Sequence, residues 1–155
     1  MYSCKKSTVL SIAVCLFVVL VLVALIIVGP MLFRQFMVIY RGVPDNSPGL
    51  ARLVKVFTCC FYPSAVVAGV ILYALLRLLF NIYAGDVFIA ANVKILSVVS
   101  WCCLAICGIT LVGGFFYMPF FFVAAAGGFT GMLLRVLKNV MHNAVELRAE
   151  NDLTI

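Results

Sequence analysis

Sorted into apolar and polar positions, the chain is three long apolar stretches separated by short basic interruptions. Residues 7–33, 56–76 and 95–134 contain no Asp, Glu, Lys or Arg. A helix rises about 1.5 Å per residue, so roughly 20 apolar residues cross the hydrocarbon of a bilayer. The third stretch is twice that length and predicts two helices. Its break falls in VGGFFYMPFFF, where Gly113 and Gly114 weaken the end of one helix and Pro119 suits the first turn of the next. The aromatics at 115–117 and 120–122 suit a membrane interface. The pattern predicts an all-α integral membrane protein with four transmembrane helices, over residues 8–28, 56–79, 95–112 and 118–136. The last continues as a cytoplasmic amphipathic helix into a tail over 137–155. A re-entrant hairpin is the competing reading of the last pair, but it needs a cavity or a protein wall to satisfy its backbone.

Composition agrees with the pattern. With 66% hydrophobic and 10% charged residues, and a mean hydropathy of +1.27, the chain has too little polar surface for a soluble globule. Lys5 and Lys6 precede the first apolar run as they would in a signal peptide. The run exceeds the usual h-region of about 7–15 residues and is followed by no small-x-small cleavage pattern, so it reads as an anchor. With both termini in the cytoplasm, the inner side receives Lys5, Lys6, Arg77, Lys94, Arg135, Lys138 and Arg148. The outer side then receives Arg34, Arg41, Arg52 and Lys55. This bias sets the expected orientation. The net charge of +6 reflects such flanking cations. No basic cluster interleaved with aromatics points to direct nucleic-acid binding.

The first loop is basic although it is placed outside. Leu32, Phe33, Phe36, Met37 and Tyr40 can share one apolar side, with Arg34, Val38 and Arg41 elsewhere, which predicts an interfacial helix. GVPDNSPG then reads as a turn.

Candidate chemistry is sparse. Every Asp, Glu, Lys and Arg lies at or beyond a span end, so a proton relay or ion pathway has no members within the membrane. His142, the single histidine, lies in the tail, and no carboxylate pair is available within the bilayer for acid–base work. Ala84 to Asp86 reads AGD, but an aspartyl protease would need a second membrane aspartate. The expectation is a protein that is not an enzyme and has no cofactor. Cys59, Cys60, Cys102, Cys103 and Cys107 could in principle gather a soft metal or form a redox pair. Adjacent cysteines on a helix point about 100° apart and no C-x-x-C spacing occurs, so the stronger reading is small buried hydrophobes.

Small residues recur at four-residue spacing: Ala65 with Gly69, Ala124 with Gly128, and Gly127 with Gly131. Such faces allow close helix packing, either within the chain or in a homo-oligomer. Between the second and third spans, Asp86 can favour a new helix start, with Phe88, Asn92 and Leu96 then on one face. Asn92 is expected to cap or bridge helices at the inner interface rather than to bind a ligand.

Two segments carry a resemblance. GDVFIAANVKIL resembles the Gly-x-Val-Phe pattern, followed by Asn and Leu, of a family of small bacterial four-span membrane proteins, domain of unknown function 2975. AVELRAENDLTI is similar to that family's acidic tail ending in Leu-Thr-Ile. The matching positions are Gly85, Val87, Phe88, Asn92 and Leu96, then Glu146, Glu150, Asn151, Asp152, Leu153, Thr154 and Ile155. Where the family usually has Thr after the Phe, this chain has Ile89. The resemblance implies a multi-pass protein of the bacterial plasma membrane, commonly encoded beside a small helix-turn-helix regulator. It implies no activity.

From Leu133, Leu137, Val140, Ala144 and Leu147 continue an apolar stripe, while Lys138, His142, Glu146 and Glu150 form a polar ridge. The Asn-Asp pair at 151–152 favours a helix end. Two readings follow for this stalk. It folds back on the inner ends of the other helices, with Leu153 and Ile155 covering Leu147 or the segment near Phe88, or it docks a cytosolic regulator with a basic face. A rival function is a transporter-like or immunity protein that uses the basic outer loop against a toxin or membrane-active peptide.

Overall fold

The structure, a computed structural model, describes the backbone of residues 2–152 except 86 and 88. It describes the side chains of residues 9–147 and 150, with the same two exceptions. Among these residues every regular element is a helix: α1 (Tyr2–Arg41), α2 (Pro48–Ala84), α3 (Ala90–Gly114) and α4 (Pro119–Asp152). Each contains a stretch long and apolar enough to cross a membrane. The protein is an all-α chain with four candidate membrane spans, as the apolar pattern predicts.

Successive helices run antiparallel. The start of α1, the α2–α3 turn and the end of α4 therefore share one side, the terminal side, and the other two turns share the far side. Each helix packs on its chain neighbours, and among the described residues no other pair of helices runs backbone against backbone. The four follow one another as a row, with α2 and α4 meeting only through side chains such as Phe57 and Phe120 among the described residues.

On α1 the less exposed positions include Ile12, Cys15, Val19, Leu22, Ile26, Gly29, Phe33 and Met37. They recur every three and four residues, the period that keeps one stripe against an antiparallel partner. Three contacts fix the register with α2. The Cys15 thiol donates to the Leu72 carbonyl at 3.9 Å, Gly29 lies under the Phe61 ring, and Phe33 stacks on Phe57 with centroids 4.1 Å apart. Outward positions such as Leu10 and Ile27 are exposed in the protein alone. Lipid is their natural cover.

The 40 residues of α1 span about 60 Å, roughly twice the hydrocarbon thickness. The far-side end is packed, with Phe33, Met37 and Leu50 buried together under Val43, Leu53, Phe57 and Tyr117. The interfacial helix expected around residues 32–40 is therefore not a separate element but the last turns of α1, which passes Pro30 without ending. Its expected apolar side divides. Phe33 and Met37 are buried, while Phe36 and Tyr40 stack on each other at 5.2 Å and stay exposed.

The turn is also shorter than GVPDNSPG suggests, because α2 starts inside that segment. Ser47 caps it, its Oγ accepting from the Leu50 N–H at 3.2 Å, and Pro48 occupies the first turn where its missing N–H costs nothing. Gly42, with φ of 62°, makes the exit from α1.

On the far side a ring cluster ties three helices and a turn together. Tyr117 meets Phe33 edge-on at 5.5 Å, and Phe120 lies 6.0 Å from Phe57.

Candidate functional site

Three places in the described residues combine polar groups with defined geometry. The first is the α2–α3 turn. Gly85 ends α2 in the left-handed region with φ of 97°, and its N–H reaches the carbonyls of Asn81 and Ile82. This closes the helix as a C-cap that a side chain would strain. Asn92, wholly buried, then joins the two helices. Its Oδ1 accepts from Asn81 Nδ2 at 2.7 Å and its Nδ2 donates to the Val87 carbonyl at 2.9 Å. Leu96, one turn on, is buried on the same face. α3 begins at Ala90 with Ile89 at the N-cap position, so the helix start is not at Asp86. Asp86 and Phe88 themselves lie outside the described residues. Amides supply neither a proton donor of useful pKa nor a nucleophile. The geometry clamps two helices.

Asn81 is absent from the sequence-based candidates. The signal available was its position, a second amide four residues before Gly85 in a segment otherwise poor in polar groups.

The second place is the terminal-side end of α4. Its 34 residues reach about 51 Å, well beyond one bilayer thickness. Leu137, Val140 and Leu147 are 53%, 61% and 61% exposed. Leu137 and Val140, with Met141 and Ala144, face Leu78 and Ile82 of α2 across a groove of about 270 Å³ floored by Leu96. On the polar ridge His142 Nε2 is 3.5 Å from Glu146 Oε1, and Glu150 is exposed one turn later. The helix continues through Asn151 to Asp152. The side chains of Asn151 and Asp152, and all of Leu153, Thr154 and Ile155, lie outside the described residues.

The third is a far-side groove of about 670 Å³ between α1 and α2. Arg34 Nε and Nη2 both donate to Asp45 Oδ1, at 3.0 and 2.9 Å, and Lys55, Thr58 and Cys59 line the same space. Both ion-pair partners are more than half exposed.

The small residues separate by environment. Ala124 is 1% exposed. A Cβ on Gly127 would meet the Cys103 carbonyl at 3.4 Å, and one on Gly131 would meet Leu104 at 3.1 Å and the Ser100 carbonyl at 3.3 Å. Gly128 lies against the Cys107 thiol. These form the α3–α4 seam, locked by Ser100 Oγ donating to the Gly131 carbonyl at 2.8 Å. Ala65 is buried, whereas a Cβ on Gly69 would meet nothing within 4 Å. Cys60 and Cys107 pack against glycines in the same manner, and among the described residues no three His, Cys, Asp or Glu side chains gather as metal ligands.

A model of the family described as Protein of unknown function (DUF2975) matches residues 38–155. The chain belongs to that family. No curated protein and no solved structure matches it. In this DUF2975 chain the matched part holds the Gly85 cap, the amide bridge, the α3–α4 seam and the α4 extension. Most of α1 precedes it.

Proposed function

We propose that this DUF2975 protein is a non-enzymatic anchor of the bacterial plasma membrane, with both termini cytoplasmic, that holds a small cytosolic helix-turn-helix regulator on the α4 extension. One observation carries the reading. Toward its end α4 keeps an apolar stripe with Leu137, Val140 and Leu147 more than half exposed, beside acidic Glu146 and Glu150. An apolar stripe in water calls for cover, and flanking acids suit a partner with a basic face. Retention at the membrane would lower the free concentration of the regulator, and a change in the helix row would shift that balance.

The test is an affinity pull-down from gently solubilised native cells, comparing the full chain with one truncated after Asn143. A helix-turn-helix protein retained by the first and lost by the second supports the anchor. Equal recovery by both, or recovery by neither, refutes it.

The far-side groove favours a second reading, an immunity or transporter-like role against a membrane-active peptide, because Arg34, Asp45 and Lys55 present both charges above an apolar wall. Neutralising Arg34 and Arg41 would abolish that role and leave regulator capture intact.

A further inference from the structure

On the terminal side, α2 and α3 enclose a second groove, of about 390 Å³, in which Arg77 and Lys94 stand over an apolar floor and walls. The amide bridge fixes its register. One turn from Asn81 on α2 comes Arg77, and two residues past Asn92 on α3 comes Lys94. Arg77 therefore lies about 12 Å along the helix axis from Gly85, below the turn and not in it. Ala74, 7% exposed, forms part of the floor, and the exposed Tyr73, Val70 and Val98 form the rim.

Neither cation has an ion-pair partner among the described residues, whereas Arg34 pairs with Asp45 on the far side. Asp86 lies outside those residues. The far-side groove differs, since Asp45 already occupies the Arg34 guanidinium. Two cations near the terminal-side ends of two candidate spans, beside a groove with an apolar lining, call for an anion that carries an apolar chain.

We propose that this groove binds an acidic phospholipid, with Arg77 and Lys94 on the headgroup phosphate and one acyl chain along Val70, Ala74 and Val98. Arg suits the phosphate through paired N–H donors and Lys through point charge. Free phosphate would leave the apolar rim uncovered. A second copy of the chain is a poor occupant, because the apolar rim and the paired cations together suit a molecule that joins one anionic group to an acyl chain, and a copy's Asp45 is already paired on the far side. The inference stands apart from the regulator proposal.

Native mass spectrometry of the detergent-purified full chain, with phosphatidylglycerol or phosphatidylcholine of identical acyl chains added, tests it. Each cation should contribute about fivefold, giving the acidic lipid a preference of roughly thirtyfold. R77Q/K94Q should lose the preference, while R77K/K94R and the far-side control R52Q keep it. V98F, which retains both charges and narrows the groove, should weaken phosphatidylglycerol binding and so tests the groove if the double Gln variant fails to fold. The proposal is overturned by equal retention of the two lipids, by an undiminished preference in R77Q/K94Q, by unchanged binding in V98F, or by displacement of the lipid with equimolar inorganic phosphate.

Discussion

Asn81 and Asn92 are joined side chain to side chain across the α2–α3 turn, Nδ2 of the first donating to Oδ1 of the second at 2.7 Å. Asn92 also holds the Val87 carbonyl, so one buried amide ties the end of α2, the turn and the first turn of α3. Side-chain hydrogen bonds between membrane helices contribute about 0.6 kcal/mol on average and up to about 1.7. Asn92→Ala removes that interhelical bond and the bond to the turn carbonyl as well and should destabilise the chain by roughly 1–2 kcal/mol, with Asn81→Ala costing less. Unfolding in mixed micelles, followed through the fluorescence of Trp101, the single tryptophan, gives the comparison. Indistinguishable midpoints for Asn92→Ala and the unaltered chain would show the bridge to be energetically idle.

The α3–α4 seam makes a sharper steric prediction. At Gly131 an added Cβ sits 3.3 Å from the Ser100 carbonyl, a backbone atom that cannot swing away. Gly131→Val should force α4 off α3, break the Ser100 hydroxyl bond and cost about 1–3 kcal/mol as an overpacking change. Gly69→Ala meets open space and should be neutral or slightly stabilising, since Ala is the better helix former by up to about 1 kcal/mol. Parallel micelle unfolding of the two variants decides it. A seam variant as stable as Gly69→Ala would contradict the packing.

The contrast between Gly131 and Gly69 shows what the sequence could and could not carry. Spacing of four puts two residues on one helix face, but whether a neighbouring helix lies there depends on the order of the row. The apolar stretches and the break at Gly113, Gly114 and Pro119 were legible because membrane thickness imposes a length on every span. The fate of residues 32–49 was not, because proline punctuates differently by context. Pro30 lies within α1, where a long apolar helix tolerates the lost hydrogen bond, and Pro48 opens α2 instead of closing a turn. The amide clamp was half legible. Asn92 stands out in its motif, whereas Asn81 gains meaning only when Gly85 folds α3 back against it.

The Arg34–Asp45 pair should contribute little to folding. Two donors share one carboxylate oxygen, but both side chains are more than half exposed, and such pairs typically give about 0–1 kcal/mol. A double-mutant cycle with Arg34→Ala and Asp45→Ala should return a coupling below about 1 kcal/mol that shrinks as salt is added. A larger, salt-insensitive coupling would mean that the far-side hairpin shields the pair from water.

Val140 separates docking from folding on α4. It lies 21 residues past Pro119, about 32 Å along the axis, a distance close to the roughly 30 Å of a hydrocarbon core. Contacts that hold α4 to α3 include Phe121 over Gly114, Gly131 against Leu104 and Ser100, and Arg135, which lies 4.3 Å from the Trp101 ring centroid, all at positions before Val140. Val140 is 61% exposed, so Val140→Lys should change the unfolding midpoint by less than about 0.5 kcal/mol, the usual range for a surface substitution. The same change puts a cation into the exposed stripe and should abolish capture of a basic partner. Loss of capture with unchanged stability would assign the stripe to a partner. Loss of stability would instead mean that the stripe is covered by its own chain across the groove with Leu78 and Ile82, and the anchoring role would lose its surface.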